Sequence, residues 1–263
     1  MTESVDVRTV VREKYAAAAR GGGDCCDQGT SCGCSCVAEE LHSIGYSDAD
    51  VAAIPEGANL GLGCGNPLAS ANLRSGETVL DLGSGAGIDC FLAAPEVGAE
   101  GRVIGVDMTP AMIERARANA ARGNFSQVEF RLGEIEHLPV ADASVDLVIS
   151  NCVVNLSPDK PQVFREAWRV LKPGGRLQIS DLVLTRALSP EARKEVDLHV
   201  GCVAGASLRD DYVRMIREAG FAEVEIVDER RYEPGASRLP EDERVRTAFA
   251  AVASVKLRAW KRS

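Results

Sequence analysis

The sequence predicts an α/β fold: a Rossmann-like sheet of seven strands with helices on both faces, preceded by a cysteine-rich helical extension. Three observations lead there. Short apolar, β-branched runs alternate with helical stretches from about residue 78 onward. A glycine-rich turn follows the first of those runs. Five of the nine cysteines crowd into residues 25–36, ahead of the alternating region. Strands separated by single helices make right-handed crossovers, which build a parallel sheet covered on both sides.

Taken in order, residues 5–20 read as a helix that Gly21, Gly22 and Gly23 stop. The loop bearing Cys25, Cys26, Cys32, Cys34 and Cys36 is too polar and glycine-rich to pack. A short helix over about 37–44 leads through Pro55 and Gly57 to the loop carrying Cys64. Thr78–Gly83 is a short buried strand, followed by Gly101–Asp107, Val128–Leu132, Val145–Ser150 and Arg176–Ser180. Helical patterns fill the gaps, as over 110–121 and 161–171. Two more helices follow, at about 189–201 and 208–219, the second stopped by Gly220. Glu223–Asp228 and Ser254–Trp260 complete the strands, and residues 229–250 are a charged connection with a short helix near its end. The expected divisions are an extension over 1–75, a ligand-binding core over 76–185, and a closing region of helices and strands over 186–263.

Composition excludes several function classes. A formal net charge of -9 without a basic run argues against nucleic acid and membrane surfaces as partners. No apolar run approaches the ~18 residues of a membrane span. The first residues lack the apolar core of a signal peptide, so the expected location is cytoplasmic, where thiols stay reduced. An odd count of nine cysteines there points to metal binding or redox chemistry rather than a disulfide framework. Cys90, among apolar neighbours at the start of a helix, reads as a small buried hydrophobe.

The run Asp81-Leu-Gly83-Ser84-Gly85-Ala-Gly87 ends the first strand and opens a helix. Glycines let the backbone approach a ligand closely, and the helix N-terminus adds a positive dipole. A dinucleotide fingerprint fails, because Ile88 stands where its last glycine belongs. Asp107 ends the second strand, 20 residues after Gly87. A carboxylate there can accept both ribose hydroxyls of an adenosine ligand.

These elements, with Leu171-Lys-Pro-Gly-Gly175 before the fifth strand, resemble the class I S-adenosylmethionine-dependent methyltransferases. The resemblance implies a methyl-donor site. Asp81 helps hold the glycine loop of Gly83, Ser84, Gly85 and Gly87 and the methionyl ammonium, Asp107 takes the ribose hydroxyls, and Met108 beside it belongs to the same donor site. Glu134 and Ile135 flank the adenine, and Asn151 faces the methionyl end.

A narrower resemblance rests on Ala58-Asn-Leu-Gly-Leu-Gly-Cys64-Gly-Asn-Pro67, Val106-Asp-Met-Thr-Pro110, Ser150-Asn-Cys152-Val-Val-Asn-Leu156 and Gly201-Cys202-Val-Ala-Gly205. Together these are similar to the arsenite methyltransferases, from about residue 45 to the C-terminus. The resemblance implies that Cys152 and Cys202 bind arsenite, with Cys64 as a third ligand or as a thiol that reduces oxidised product. It implies arsenic detoxification with disulfide cycling, reset by an external thiol reductant such as thioredoxin or glutathione. The family usually has one further functional cysteine near the N-terminus, and Cys25, Cys26 or Cys36 could fill that place. The chemistry agrees, since trivalent arsenic prefers soft thiolates and the three histidines form no motif.

Two other readings stand beside this one. A methyltransferase for an organic acceptor would need a base that is not cysteine in the acceptor pocket. A thiol-based arsenic or metal-binding protein on a methyltransferase shell would not bind S-adenosylmethionine.

Overall fold

The computed structural model describes residues 7–21, 41–191, 203, 205–232 and 249–263. Among them lies a seven-stranded sheet in the order β3-β2-β1-β4-β5-β7-β6. The strands are β1 Thr78–Leu82, β2 Arg102–Asp107, β3 Val128–Leu132, β4 Val145–Asn151, β5 Leu171–Leu184, β6 Ala222–Arg231 and β7 Val252–Trp260. The helices are α1 Val7–Arg20, α2 Asp48–Ala53, α3 Ile88–Val97, α4 Pro110–Gly123, α5 Lys160–Val170 and α6 Arg209–Glu218.

β1 to β5 pair in parallel. β7 then inserts antiparallel between β5 and β6. The sheet is therefore mixed at one edge, where alternation of strand and helix alone predicts only parallel pairing. β5 is also longer than the Arg176–Ser180 expected. Its first residues pair with the start of β4, Val145 opposite Leu171, and its last pair with β7 up to Leu184 opposite Val252. α2 was not anticipated. Ser47 and Asp50 cap each other's backbone amides at its start, at 3.2 and 2.8 Å, which satisfies orphan donors of a first turn. The helix expected over 37–44 is described only from residue 41, where 41–43 are helical; the helix over 189–201 and the connection over 229–250 fall largely outside the described residues.

The β1 side chains alternate between two cores. Leu80 and Leu82 pack into the cluster that holds Phe164 of α5 and Tyr212 of α6. Val79 packs into the opposite cluster with Phe91 and Ala94 of α3 and Ile113 of α4. Asp81 therefore points to the α3 side. The C-terminal ends of β1, β2 and β4 lie together as neighbours in the sheet. That edge of an open parallel sheet is where such folds bind ligands. Among the described residues, no helix is long and apolar enough to cross a membrane.

Candidate functional site

A cleft of about 1090 Å³, its open mouth included, sits over those strand ends. The glycine turn after β1 forms its floor. The amides of Gly83 and Ser84 donate to the Val106 carbonyl at 2.8 and 3.0 Å, tying the turn to β2. Gly83 has φ +69°, and a Cβ there would lie within 2.9 Å of all three branch carbons of Val153. Position 83 thus has neither the backbone freedom nor the space for a side chain. At Gly85 a Cβ would meet nothing within 4 Å, so the backbone there faces open space.

Asp107 is fixed from below. Its Oδ2 accepts from the Gly85 amide at 3.0 Å and its Oδ1 from the Thr109 amide at 2.8 Å. Each oxygen keeps one lone-pair position for a ligand. Burial raises the Asp107 pKa against these hydrogen bonds.

Two more carboxylates line the cleft. Asp81 accepts from the Cys90 thiol at 3.4 Å. Asp89, on α3, accepts from the Tyr46 hydroxyl at 2.6 Å and from Asn151 Nδ2 at 3.1 Å. Burial, then the charge of Asp89, holds the Asp81 carboxyl well above its ordinary range. Burial likewise lifts Asp89 to about 6. Among the described residues, no lysine or arginine is ion-paired with Asp81, Asp89 or Asp107. Three buried acids without a basic partner make a cleft suited to a cation. The orphaned buried hydroxyl of Ser84 adds a polar atom at its floor. S-adenosylmethionine, with its sulfonium, ammonium and ribose diol, fits these groups.

Asn151 joins this cleft to the thiols. Its Nδ2 also donates to the Gly65 carbonyl at 2.7 Å, and its Oδ1 accepts from the Cys64 amide at 3.2 Å. The Cys64 loop packs tightly on β5, for a Cβ on Gly65 would overlap the Ser180 hydroxyl. The Cys64 thiol donates to the Ser180 carbonyl at 3.8 Å, and the Cys152 amide to the same oxygen at 2.8 Å. Both cysteines are reduced and buried. Cys152 has φ +59°, a conformation that a residue with a side chain rarely adopts without outside constraint. Cys64, Cys152 and Asp181 offer ligand atoms that all lie within 4.8 Å of one another. Cys152 lines the cleft as well, so one residue belongs to both halves of the site.

Of the residues singled out from sequence, Asp81, Gly83, Ser84, Gly85, Asp107 and Met108 line the cleft, as do Ile135, Asn151 and Cys152. Gly87 caps α3 behind it, at φ +101°. Glu134 is not among the lining residues and pairs with Arg8 and Arg12, while Ile135 and Glu136 line the cleft. Cys25, Cys26, Cys36 and Cys202 lie outside the described residues. Val203, next to Cys202 in the chain, packs in the same apolar cluster as Cys64 and Cys152.

Sequence reasoning missed four groups. Tyr46 and Asp89 meet only when α3 docks on the segment before α2. Asp181 directly follows the strand read as Arg176–Ser180 and belongs to no motif. α1 was expected only as a helix, yet its Arg8, Val11 and Tyr15 line the cleft, and Arg8 Nη2 donates to Glu136 at 3.0 Å.

Comparison with known proteins identifies the family and the fold. Residues 73–220 match the family described as a methyltransferase domain. An arsenite methyltransferase of Halobacterium salinarum is 55% identical over 84% of this chain and 59% of its own length. The human arsenite methyltransferase is 40% identical over 57% of this chain and 42% of its own. The chain thus spans about half the length of these curated relatives. The crystal structure of an arsenic(III) S-adenosylmethionine methyltransferase from Chlamydomonas reinhardtii superposes with a TM-score of 0.66. It is 34% identical, and the match covers 85% of this chain and 73% of that one.

Proposed function

The chain belongs to the arsenite methyltransferase family, and from that premise we propose that it methylates thiolate-bound trivalent arsenic with S-adenosylmethionine as donor. The observation that carries the proposal is Cys152, which lines the donor cleft and stands within 4.8 Å of the Cys64 thiol and the Asp181 carboxylate.

Bound in the cleft, S-adenosylmethionine supplies an electrophilic methyl group on a sulfonium. Asp81 and Asp89 receive its ammonium, Asp107 its ribose hydroxyls, and Met108 and Ile135 its adenine. The buried acids offset the cost of bringing a cation out of water. Asn151 holds the Cys64 loop against this donor site through the hydrogen bonds above.

Arsenite, the substrate, exchanges hydroxyls for cysteine sulfurs, and each exchange releases water. Cys64 and Cys152 supply two sulfurs, and the family pattern supplies Cys202 as the third; the burial of Val203 among them supports that assignment. Thiolate ligation leaves arsenic its lone pair, the nucleophile. Acid–base catalysis has little to contribute, so the chain's task is proximity and orientation in a dry pocket. Methylation raises arsenic to the pentavalent state. Two cysteine thiolates then give up two electrons and close a disulfide, returning arsenic to the trivalent state. An external dithiol such as thioredoxin, or two glutathiones, reduces that disulfide. Cys25, Cys26 or Cys36 is the candidate partner of Cys64 in this relay. The physiological outcome is arsenic detoxification in the cytoplasm.

The test is an arsenite methylation assay with S-adenosylmethionine and a thiol reductant, product identified by mass spectrometry. Methylated arsenicals are expected from the wild type. Their absence refutes the activity, and equal yield from Cys152→Ser refutes the mechanism.

A further inference from the structure

Asp181 is a buried carboxylate that the proposed reaction does not use. It lies within β5, opposite Val255 of β7, is fully buried, and is held by three donors. Its Oδ1 accepts from the Leu182 amide at 2.8 Å and from Asn155 Nδ2 at 2.9 Å. Its Oδ2 accepts from the Tyr212 hydroxyl at 2.9 Å. A carboxylate has about four lone-pair positions, so these three donors leave one. The rigid carboxylate stands beside the thiols of Cys64 and Cys152, all three ligand atoms within 4.8 Å.

Two thiolates and a carboxylate are the donor set of a borderline divalent cation rather than of arsenic. Zinc takes sulfur at ~2.3 Å and oxygen at ~2.0–2.2 Å in a tetrahedron, so its ligands stand roughly 3.5–3.8 Å apart. A separation of 4.8 Å or less needs at most about an ångström of closure, within reach of a cysteine χ1 adjustment. The hydrogen bonds that fix Asp181 are those that orient ligating carboxylates in metal sites generally. Charge separates the two kinds of guest. Arsenic bound to two thiolates and a hydroxyl is neutral and has no use for an added anion. A divalent cation on two thiolates is also neutral, but it retains vacant positions that a carboxylate oxygen and a water can fill. Carboxylate affinity falls from zinc-type cations to soft trivalent arsenic.

We propose that Cys64, Cys152 and Asp181 form a binding site for Zn2+ or Cd2+, which competes with arsenite for the same two sulfurs. Binding releases the two thiol protons to solvent and leaves the fourth position to water. The competition rests on the arsenite reading above; the cation site itself does not. The enzyme is thereby inhibited by thiophilic divalent cations at the pocket that takes its substrate.

The test uses the full chain with Cys25, Cys26, Cys32, Cys34, Cys36 and Cys202 replaced by Ser, so that these thiols contribute nothing. Cd2+ is titrated in, and the ultraviolet charge-transfer band of cadmium thiolate is followed. One equivalent is expected to bind, and the band should vanish in Cys64→Ser and in Cys152→Ser. Asp181→Asn, isosteric and checked by circular dichroism, should weaken Cd2+ at least tenfold while arsenite binding, by equilibrium dialysis, changes less than threefold. A band that survives both cysteine changes, or undiminished affinity in Asp181→Asn, overturns the site. Equal losses of Cd2+ and arsenite in Asp181→Asn also overturn it, since they mark the carboxylate as merely structural. The arsenite methylation assay on the wild type judges the functional reading separately.

Discussion

Replacing Asp107 by Ala isolates the donor site from the arsenic chemistry. In the wild type each carboxylate oxygen already accepts one backbone amide, from Gly85 at 3.0 Å and from Thr109 at 2.8 Å. Those bonds fix the oxygens, so that under the proposed donor assignment the remaining lone pairs would serve the two ribose hydroxyls without further ordering. A hydrogen bond to a charged group contributes about 1.5–3 kcal/mol. Losing two at the lower end costs about 3 kcal/mol, which at ~1.36 kcal/mol per decade is a roughly 100-fold rise in Kd. The fold should feel much less. The Gly85 and Thr109 amides lose their acceptor, but a buried carboxylate whose pKa burial has raised is removed at the same time, and the two effects oppose. The assay is isothermal titration with S-adenosylhomocysteine, which has the same ribose and no sulfonium, alongside a thermal melt. A Kd within threefold of wild type in a cooperatively folded variant would refute the assignment of Asp107.

Three further outcomes are expected. Gly83→Ala places a Cβ against the Val153 branch at φ +69°, so the turn must shift; stability should drop by about 1–3 kcal/mol and donor binding should be lost in titration, whereas wild-type affinity would sink the close-approach argument. Asp89, lifted from 3.8 to about 6, binds a proton in the folded state that the unfolded chain has already released between those values, so its ionisation costs stability as pH rises through that window. Denaturant melts of wild type and Asp89→Asn should therefore diverge, the wild type losing up to about 3 kcal/mol relative to the variant between pH 4 and pH 7; a constant gap contradicts the buried charge. Asn151→Ala strands the Gly65 carbonyl and removes a donor from Asp89, and should cost about 2 kcal/mol and weaken arsenite binding; an unchanged melt would show that the amide does not tie the two halves together.

The parts legible in the sequence are those that local pattern controls. β1, β2 and β4 are short, mainly apolar runs bounded by turns, and the alternating Val128–Leu132 forms β3 as read. The glycine turn and Asp107 lie within one strand–turn–helix–strand unit, so spacing alone places them. The rest depends on contacts distant in sequence. Nothing local to Val252–Trp260 says that it pairs antiparallel with β5 before β6 does. Asp89 sits in the first turn of a helix that is apolar apart from it and Glu96, and it becomes a site residue only when Tyr46, 43 positions earlier, reaches it. Cys90 reads as a small hydrophobe and is fully buried, yet its thiol also donates to Asp81. α2 carries a local signal, the Ser47-x-x-Asp50 box, but it is six residues long and buries nothing fully, so no apolar period marks it.

The claim that Cys152 holds arsenic beside the methyl donor is tested most directly by a single turnover. Stoichiometric enzyme, arsenite and methyl-labelled S-adenosylmethionine are mixed with a thiol reductant, and the label is followed into methylated arsenicals. The wild type should transfer label, while Cys152→Ser, still binding S-adenosylhomocysteine as tightly as the wild type, should transfer none. Equal transfer by the two proteins would contradict the account.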